Sequence, residues 1–218
     1  MHELFSYIRV MKISYAITVC NELVEIQRLI SFLLENKREE DEIVVVYDAN
    51  NGSEAVSEYL RVQNVEKTYF NWFPFKFENN FAELKNHLTS MCTGDYIFQI
   101  DADELPTEYI VRLIPQIIKS NQVDLIRVPR INTVEGLTEE HIQKWGWNVN
   151  EKGWVNYPDY QWRIYKNTPS IKWEGEVHEK IVGYSTYAHL PMEETELALR
   201  HPKTIDRQEK QNKFYETL

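Results

Sequence analysis

The sequence predicts an α/β protein with a mostly parallel central sheet and helices on both faces. Two observations lead to this prediction. Short, continuous apolar runs recur along residues 12–128, and segments with apolar residues at helical spacing follow most of them. Continuous apolar runs are typical of strands buried on both faces, and their alternation with helices indicates right-handed crossovers between parallel strands.

The first two strand–helix units begin at Ile13 and Ile43. Ile13 to Val19 is apolar and β-rich, and the segment from Leu23 to Leu34 has apolar residues at helical spacing. Ile43 to Tyr47 is a second apolar run that ends in Asp48 and a turn, after which Ser53 can cap a helix.

The following elements surround a central strand at Tyr96 to Ile100. A weaker strand is predicted around Val65 to Tyr69, and a helix from Phe81 to Met91 comes after it. Thr107 to Lys119 has the spacing of a further helix, and Leu125 to Val128 is another short apolar strand.

The pattern changes after Pro129. Five of the six tryptophans lie in residues 145–173, mixed with tyrosine, glycine, asparagine and aspartate. We expect a small, loop-rich, aromatic part with short antiparallel strands at Ile171 to Trp173 and Val177 to Val182, followed by a polar helix from Thr204 to Leu218. Indole rings pack on the C–H faces of sugars, so the mixture suits carbohydrate, although burial in a core is the simpler explanation for any single tryptophan.

Composition and charge exclude several classes of function. A chain of 218 residues suits one domain, and its formal net charge of −10 disfavours a nucleic-acid partner. Cys20 and Cys92 are too isolated for a disulfide framework or a thiolate metal site. The sequence has no export signal in its first residues and no apolar run long enough for a transmembrane segment, so we expect a cytoplasmic protein.

The residues that end the central strand indicate a metal site. Asp101, Asp103 and Glu104 place three carboxylates within four residues, at the strand end where open α/β sheets bind ligands. Alternation along a strand turns Asp101 and Asp103 the same way, and hard oxygen ligands suit Mg²⁺ or Mn²⁺ bound to a phosphate group. The alternative is a turn in which Asp103 or Glu104 caps the helix that begins near Pro106.

Polar residues also end the first two predicted strands: Thr18, Asn21 and Glu22 follow the first, and Asp48 and Asn50 follow the second. The carboxyl ends of neighbouring parallel strands lie side by side. We therefore expect one pocket in which Asp48 binds a base or ribose while Asp101 and Asp103 bind a metal and a diphosphate. Capping of the first helix is the competing interpretation for Asn21.

These motifs resemble the nucleotide-sugar-dependent glycosyltransferases of the GT-A (Rossmann-like) fold, in particular glycosyltransferase family two. Thr18–Glu22 resembles the family's first-strand motif, Val44–Ser53 its second-strand acidic motif, and Asn86–Asp103 the stretch into its Asp-x-Asp signature. Further on, Arg163–Lys166 resembles an Arg-Leu-Phe element, and Ile171–Glu179 resembles a Gly loop with a His-Glu pair. They match in order and spacing over most of the chain. The resemblance implies one domain over residues 1–218, with a nucleotide-sugar-binding half at 12–128 and an acceptor-side half at 129–218.

The resemblance also implies a donor site and a metal site. The donor is a nucleoside-diphosphate sugar, with a UDP-sugar favoured, and its expected binding residues are Thr18, Asn21, Glu22, Asp48, Lys85, Asp101 and Ala102. Mn²⁺ or Mg²⁺ would be bound by Asp101 and Asp103. His201 would complete the metal site, and His189 is the second candidate for that position.

The implied reaction is an inverting transfer of the sugar to a hydroxyl of a saccharide or glycan acceptor. A metal neutralises the charge on the departing diphosphate, so only the acceptor needs a base. Glu179 is the candidate base, and His178 would orient it or contact the phosphates. Glu174 and Glu176 are the alternatives for the base.

Two other functions stay open at this point. A haloacid-dehalogenase-type phosphotransferase would use Asp101 and Asp103 as nucleophile and acid/base pair. That motif usually follows the first strand and precedes Gly-Thr, whereas here it comes late and precedes Glu104. A non-catalytic carbohydrate-binding protein on a transferase fold is the other alternative, and the crowded tryptophans favour it.

Overall fold

The computed structural model describes residues 10–66, 69–176 and 178–215, which contain ten strands and six α-helices. The strands are β1 (Ile13–Val19), β2 (Glu42–Asp48), β3 (Phe70–Phe75), β4 (Tyr96–Asp101), β5 (Leu125–Glu135), β6 (Val155–Lys166), β7 (Lys172–Glu174), β8 (Lys180–Val182), β9 (Tyr187–His189) and β10 (Leu199–Thr204). The helices are α1 (Leu23–Asn36), α2 (Glu54–Glu66), α3 (Phe81–Met91), α4 (Glu108–Asn121), α5 (Glu139–Trp145) and α6 (Ile205–Tyr215).

Eight strands form one large sheet in the order β10-β5-β6-β4-β1-β2-β3, and β9 also pairs with β5. β6 is antiparallel to both of its neighbours, and the other pairings in this sheet are parallel. The predicted mostly parallel sheet is therefore confirmed. Since β1, β2, β4, β5 and β10 run the same way, they end at the same edge, which is the edge where β6 begins.

Helices cover both faces of the sheet, as predicted. On one face, α1 and α4 bury residues such as Leu33 and Ile114 against the strands. On the other face, α3 packs Leu88 beside Trp173 of the small antiparallel pair β7–β8. β2 is buried at all seven positions, because a strand with helices on both faces has no solvent side.

A buried polar network fastens the opposite edge of the sheet, where the parallel strands begin. One oxygen of Glu42 accepts hydrogen bonds from Ser14 Oγ and the Thr93 amide, both at 2.6 Å. The other accepts from Lys12 Nζ at 2.7 Å and Thr93 Oγ1 at 2.9 Å. Burial alone would raise the pKa of Glu42, but these hydrogen bonds outweigh burial and lower it. The network aligns the starts of β1 and β2 with the loop before β4.

The second half of the chain differs most from expectation. β5 continues to Glu135 instead of ending at Val128, and the segment expected to be loop-rich contains β6, a strand of twelve residues inside the sheet. The strand expected around residues 65–69 lies at Phe70–Phe75. Val177 and residues 216–218, which belonged to a predicted strand and to the predicted last helix, lie outside the described residues. None of the described helices has the length and apolar character that crossing a membrane requires.

Candidate active site

A cleft of about 970 Å³ opens at the edge where the parallel strands end. Its floor is formed by the ends of β1, β2, β4, β5 and β10, and its walls by the β7–β8 connection, the start of β6 and α6. Every residue that the sequence assigned to donor binding, metal binding or catalysis lines it: Thr18, Asn21, Glu22, Asp48, Lys85, Asp101, Ala102, Asp103, His178, Glu179 and His201.

Asp103 and His201 meet inside this cleft, although 98 residues separate them in sequence. His201 Nε2 lies 3.2 Å from Asp103 Oδ2, and His201 Nδ1 lies 2.6 Å from Asn132 Oδ1. The amide nitrogen of Asn132 donates to Asp159 at 2.9 Å, which leaves its oxygen to accept from Nδ1. Nε2 is therefore the ring nitrogen that faces the Asp103 carboxylate, where it either donates a hydrogen bond to Oδ2 or presents its lone pair to a cation.

A carboxylate oxygen and an imidazole lone pair that face each other at this distance fit a shared cation. Burial acts to raise the pKa of Asp103, but the contacts with His201 and Lys203 outweigh burial and hold the pKa below its ordinary value, so the group is ionised. Among the described residues, no group of three or more His, Cys, Asp or Glu side chains is gathered to hold a metal by itself. Protein and phosphate oxygens together would therefore have to supply the ligands.

Asp101 differs from Asp103 because both of its oxygens already accept hydrogen bonds. Thr18 Oγ1 and Gln99 Nε2 donate to Oδ1 at 3.1 and 2.9 Å, and Arg163 Nη2 donates to Oδ2 at 2.6 Å. Burial acts to raise the pKa of Asp101, but Arg163 and then Lys85 hold it well below the ordinary value. Asp101 is thus a fixed negative charge on the floor of the cleft.

A layer of buried charges supports this floor from below. Arg163, 2% exposed, donates to both Asp101 and Glu104 at 2.6 Å. Glu104 also accepts from Arg130 at 2.9 Å, and Arg130 contacts Asp159 at 2.6 Å. Removal of one partner from such a network would leave an uncompensated buried charge, so the layer holds the strand ends in one arrangement.

The loops after β1 and β2 are held by their own acidic side chains. Glu22 accepts from the amides of Cys20 and Asn21 at 2.9 and 3.0 Å, and Asp48 accepts from the amides of Asn50 and Asn51 at 2.9 and 3.1 Å. Burial and then the Asp48 carboxylate raise the pKa of the Cys20 thiol to about 12, so the thiol stays protonated beside Asp48. Asn21 makes no side-chain cap of α1, whose N-cap residue is Glu22.

Glu179 reaches the cleft from the connection after β7 and is paired with Lys85 of α3. Lys85 Nζ contacts Glu179 Oε1, lies 4.0 Å from Asp101 Oδ1 and stands 4.5 Å from the ring centroid of Trp173. One lysine thus links the candidate base to the floor of the cleft. His178 next to it has a positive φ of 56°, which directs this connection into the cleft.

The alternative candidates for the base and for the metal-binding histidine do not line the cleft. Glu174 pairs with Lys172 at 2.8 Å on an exposed face, and neither it nor Glu176 lines the cleft. His189, on β9, packs against the ring of Tyr160 on β6 and does not line the cleft. The acidic run does form a turn after β4, but neither Asp103 nor Glu104 caps the next helix, because Thr107 caps α4 by accepting from the Ile110 amide at 3.1 Å.

Sequence reasoning did not assign several residues that line the cleft: Arg130, Asn132, Asp159, Gln161, Arg163, Lys203 and Arg207. The three on β6 could have been found from the alternation of polar and apolar residues along that segment. Asp159, Gln161 and Arg163 occupy every second position and contact the buried charges described above. The intervening residues are aromatic or apolar, so the segment has the period of a strand with one polar face. Of the tryptophans in the aromatic segment, Trp147 lines the cleft and Trp173 is buried in the core.

Comparison with known proteins identifies the family. The sequence profile described as "Glycosyl transferase family 2" matches residues 14–189. No curated protein sequence matches the chain. Among solved structures, S. aureus TarS 1–349 superimposes with a TM-score of 0.59 at 14% identity, over 83% of this chain and 58% of that chain. A second S. aureus TarS structure has a TM-score of 0.52 at 14% identity, over 72% of this chain and 28% of that chain.

Mannosyltransferase PcManGT from Pyrobaculum calidifontis, solved with GDP-Man and Mn²⁺, has a TM-score of 0.49 at 16% identity, over 56% of this chain and 36% of that chain. This chain spans about 58% of the length of TarS 1–349. At 14% identity the likeness to the two TarS structures establishes the fold, and the profile match, which covers most of the 218 residues, establishes the family. The chain belongs to glycosyl transferase family 2 and has the GT-A fold.

Proposed function

We propose that the protein is a metal-assisted, inverting glycosyltransferase that moves a sugar from a nucleoside-diphosphate sugar to a hydroxyl of a saccharide or glycan. The observation that carries the proposal is the meeting of Asp103 and His201, 3.2 Å apart, in a cleft that the family signature residues line. The whole cleft has room for a nucleotide sugar and for part of an acceptor.

The donor nucleoside would bind at the ends of β1 and β2. Asp48 is 6% exposed and is held by the turn amides that follow it, so it can accept from a base N–H without reorganisation. Thr18 and Asn21 line the same part of the cleft. A UDP-sugar is the donor that we favour. Asp48 can accept the N–H at the pairing edge of uracil, and since thymine and guanine present such an N–H too, the screen described below includes all three nucleotides.

Asp103 and His201 would hold Mn²⁺ or Mg²⁺ together with the diphosphate. When bound, the metal would supply a Lewis acid that neutralises charge on the departing nucleoside diphosphate. Asn132 holds the imidazole in the orientation that exposes Nε2. Asp101 would contribute mainly its fixed negative charge beside the ribose and the metal, since its two oxygens are already bonded within the protein.

Glu179 would accept the proton of the acceptor hydroxyl as that oxygen attacks the anomeric carbon. It lines the cleft and is held by Lys85, a side chain that also approaches Asp101. The acceptor would enter beside Trp147 and Asn156, which line the cleft on the β6 side and offer an aromatic face and an amide. Family membership leaves the haloacid-dehalogenase alternative without support.

The proposal is tested by thermal-shift screening of UDP-, GDP- and TDP-sugars with and without Mn²⁺, followed by turnover assays of the hits. Binding to the native state at about 100 times Kd adds about 2.7 kcal/mol, which raises Tm by several degrees. Asp103→Asn should abolish the Mn²⁺-dependent part of that rise. If no sugar nucleotide binds, the donor assignment is wrong. If sugar nucleotides bind and none is turned over with any saccharide, a carbohydrate-binding role is favoured instead.

A further inference from the structure

Helix α6 covers one side of the cleft and is attached to the protein through charged side chains. Its eleven residues are mostly polar. Arg207 of this helix contacts Glu25 at 2.6 Å and Glu22 at 3.2 Å, both on or beside α1, and lies 3.4 Å from Asp103 Oδ2. Glu209, on another face of α6, lies 3.8 Å from His141 of α5.

A second cation approaches the same carboxylate oxygen. Lys203, at the end of β10, places Nζ 3.9 Å from Asp103 Oδ2, and its side chain is only 7% exposed. The amide oxygen of Gln211 on α6 accepts a hydrogen bond from that Nζ. Lys203 and Arg207 both line the cleft, so two positive charges stand at the place where Asp103 and His201 face each other.

Lys203 and Arg207 make only long contacts with Asp103, at 3.9 and 3.4 Å, although Arg207 is also paired with Glu22 and Glu25. Burial of a lysine is costly unless a partner compensates for it, and the closest carboxylate oxygen to Nζ of Lys203 that the structure gives is 3.9 Å away. A diphosphate held against Asp103 through a metal would bring further negative oxygens to this point and give both cations short contacts.

We propose that Lys203 and Arg207 form a cationic pair that binds the diphosphate of the donor, and that α6 transfers Arg207 from the carboxylates of Glu22, Glu25 and Asp103 to the phosphate oxygens when the donor binds. This inference rests on the proposed function. It assigns to α6 the role of a lid whose closing contact is made with the ligand, and it explains why a guanidinium, which can bridge two oxygens, occupies position 207.

The proposal predicts effects of opposite sign on two ligands. Without nucleotide, Arg207 competes with a metal for the charge of Asp103, so Arg207→Gln should raise the affinity for Mn²⁺ alone by about fivefold. With Mn²⁺ present, the same substitution removes a charge-assisted contact to phosphate, so the affinity for inorganic pyrophosphate and for UDP should fall about tenfold or more. The affinity for uridine, which has no phosphate, should not change.

The experiment is titration calorimetry of the whole chain with Mn²⁺ alone, and with pyrophosphate, UDP and uridine in Mn²⁺. Lys203→Gln should also weaken pyrophosphate and UDP about tenfold. The matched control is Lys213→Gln, which makes the same change of charge on an exposed position of α6 and should leave all affinities unchanged. Arg207→Lys keeps the charge but loses the contact with two oxygens, so its pyrophosphate affinity should lie between those of the wild type and Arg207→Gln, while unchanged uridine affinity shows that each variant is folded.

Equal affinities of wild type and Arg207→Gln for pyrophosphate and UDP would overturn the inference while leaving the proposed function intact. A loss of uridine affinity equal to that of UDP would also overturn it, because α6 would then act only on the shape of the base pocket. Failure of the wild type to bind pyrophosphate and every nucleoside diphosphate would overturn both the inference and the proposed function.

Discussion

Asp101 and Asp103 are two positions apart, yet their surroundings give them different chemistry. Asp101 is bonded at both oxygens by Thr18, Gln99 and Arg163, so little of its hydrogen-bonding capacity is left for a ligand. Asp103 meets one histidine nitrogen at 3.2 Å and two looser cations, so a metal can replace these contacts without leaving a buried donor unpaired. The sequence predicted the acidic pair, but the division of roles depends on Arg163, which approaches from a different strand.

At the residue scale, Glu179→Gln tests the proposed base. Glutamine keeps the size and much of the hydrogen bonding of the side chain but cannot accept the acceptor proton. We expect kcat to fall between about 100-fold and about 10,000-fold. The KM for the donor should change little, because Glu179 would not contact the nucleotide. Steady-state kinetics with the donor found by the thermal-shift screen measures both constants.

Glu176→Gln is the matched control, since Glu176 is exposed and does not line the cleft. It should retain wild-type kcat. If Glu179→Gln also retains it, Glu179 is not the base, and its pairing with Lys85 then has only a structural role.

At the element scale, the strands that apolar runs predicted are those buried on both faces by helices. β1, β2 and β4 lie in the interior of the sheet, so most of their positions are apolar, and their polar residues lie mainly near the strand ends. β6 was not predicted, because one of its faces supplies Asp159, Gln161 and Arg163 to the buried charges below the cleft. Its place between β4 and β5 depends on contacts distant in sequence, which local patterns do not contain.

α3 offers a test of local stabilisation near the site. Its N-cap Asn80 accepts a hydrogen bond from the Glu83 amide at 3.1 Å, and the helix carries Lys85 one turn later. We expect Asn80→Ala to lower the free energy of unfolding by about 1 kcal/mol, because the amide loses its partner. Urea unfolding followed by circular dichroism measures the change.

Asn64→Ala is the control, because Asn64 is exposed within α2, where alanine is the better helix former. It should leave the stability unchanged or raise it slightly. Equal stability of Asn80→Ala and wild type would show that α3 does not depend on its cap and is held by packing alone.

At the scale of the whole molecule, ionised carboxylates hold both edges of the central sheet. Glu42 fastens the edge where the parallel strands begin, and Asp101 and Asp103 lie at the edge where they end. Neighbouring strands must be held in register at both of these edges, and at each edge a buried negative charge is surrounded by hydrogen-bond donors or cations. Acid should therefore weaken the fold at both edges together.

The pKa values of Glu42, Asp101 and Asp103 are all lowered in the folded protein. A carboxyl group with a lowered folded pKa binds its proton more readily in the unfolded chain, so its contribution to stability is complete above the unfolded pKa, about 4, and is lost as the pH falls toward the folded pKa. We expect the free energy of unfolding to be level near pH 7 and to fall steadily below about pH 5. Urea unfolding at half-unit steps from pH 7 to pH 3 measures this slope.

Glu42→Gln should be less stable at pH 7, because an amide nitrogen would face the donors that now bind Glu42, and its stability should fall less steeply in acid. The same slope in wild type and Glu42→Gln would mean that this edge of the sheet does not contribute to acid sensitivity.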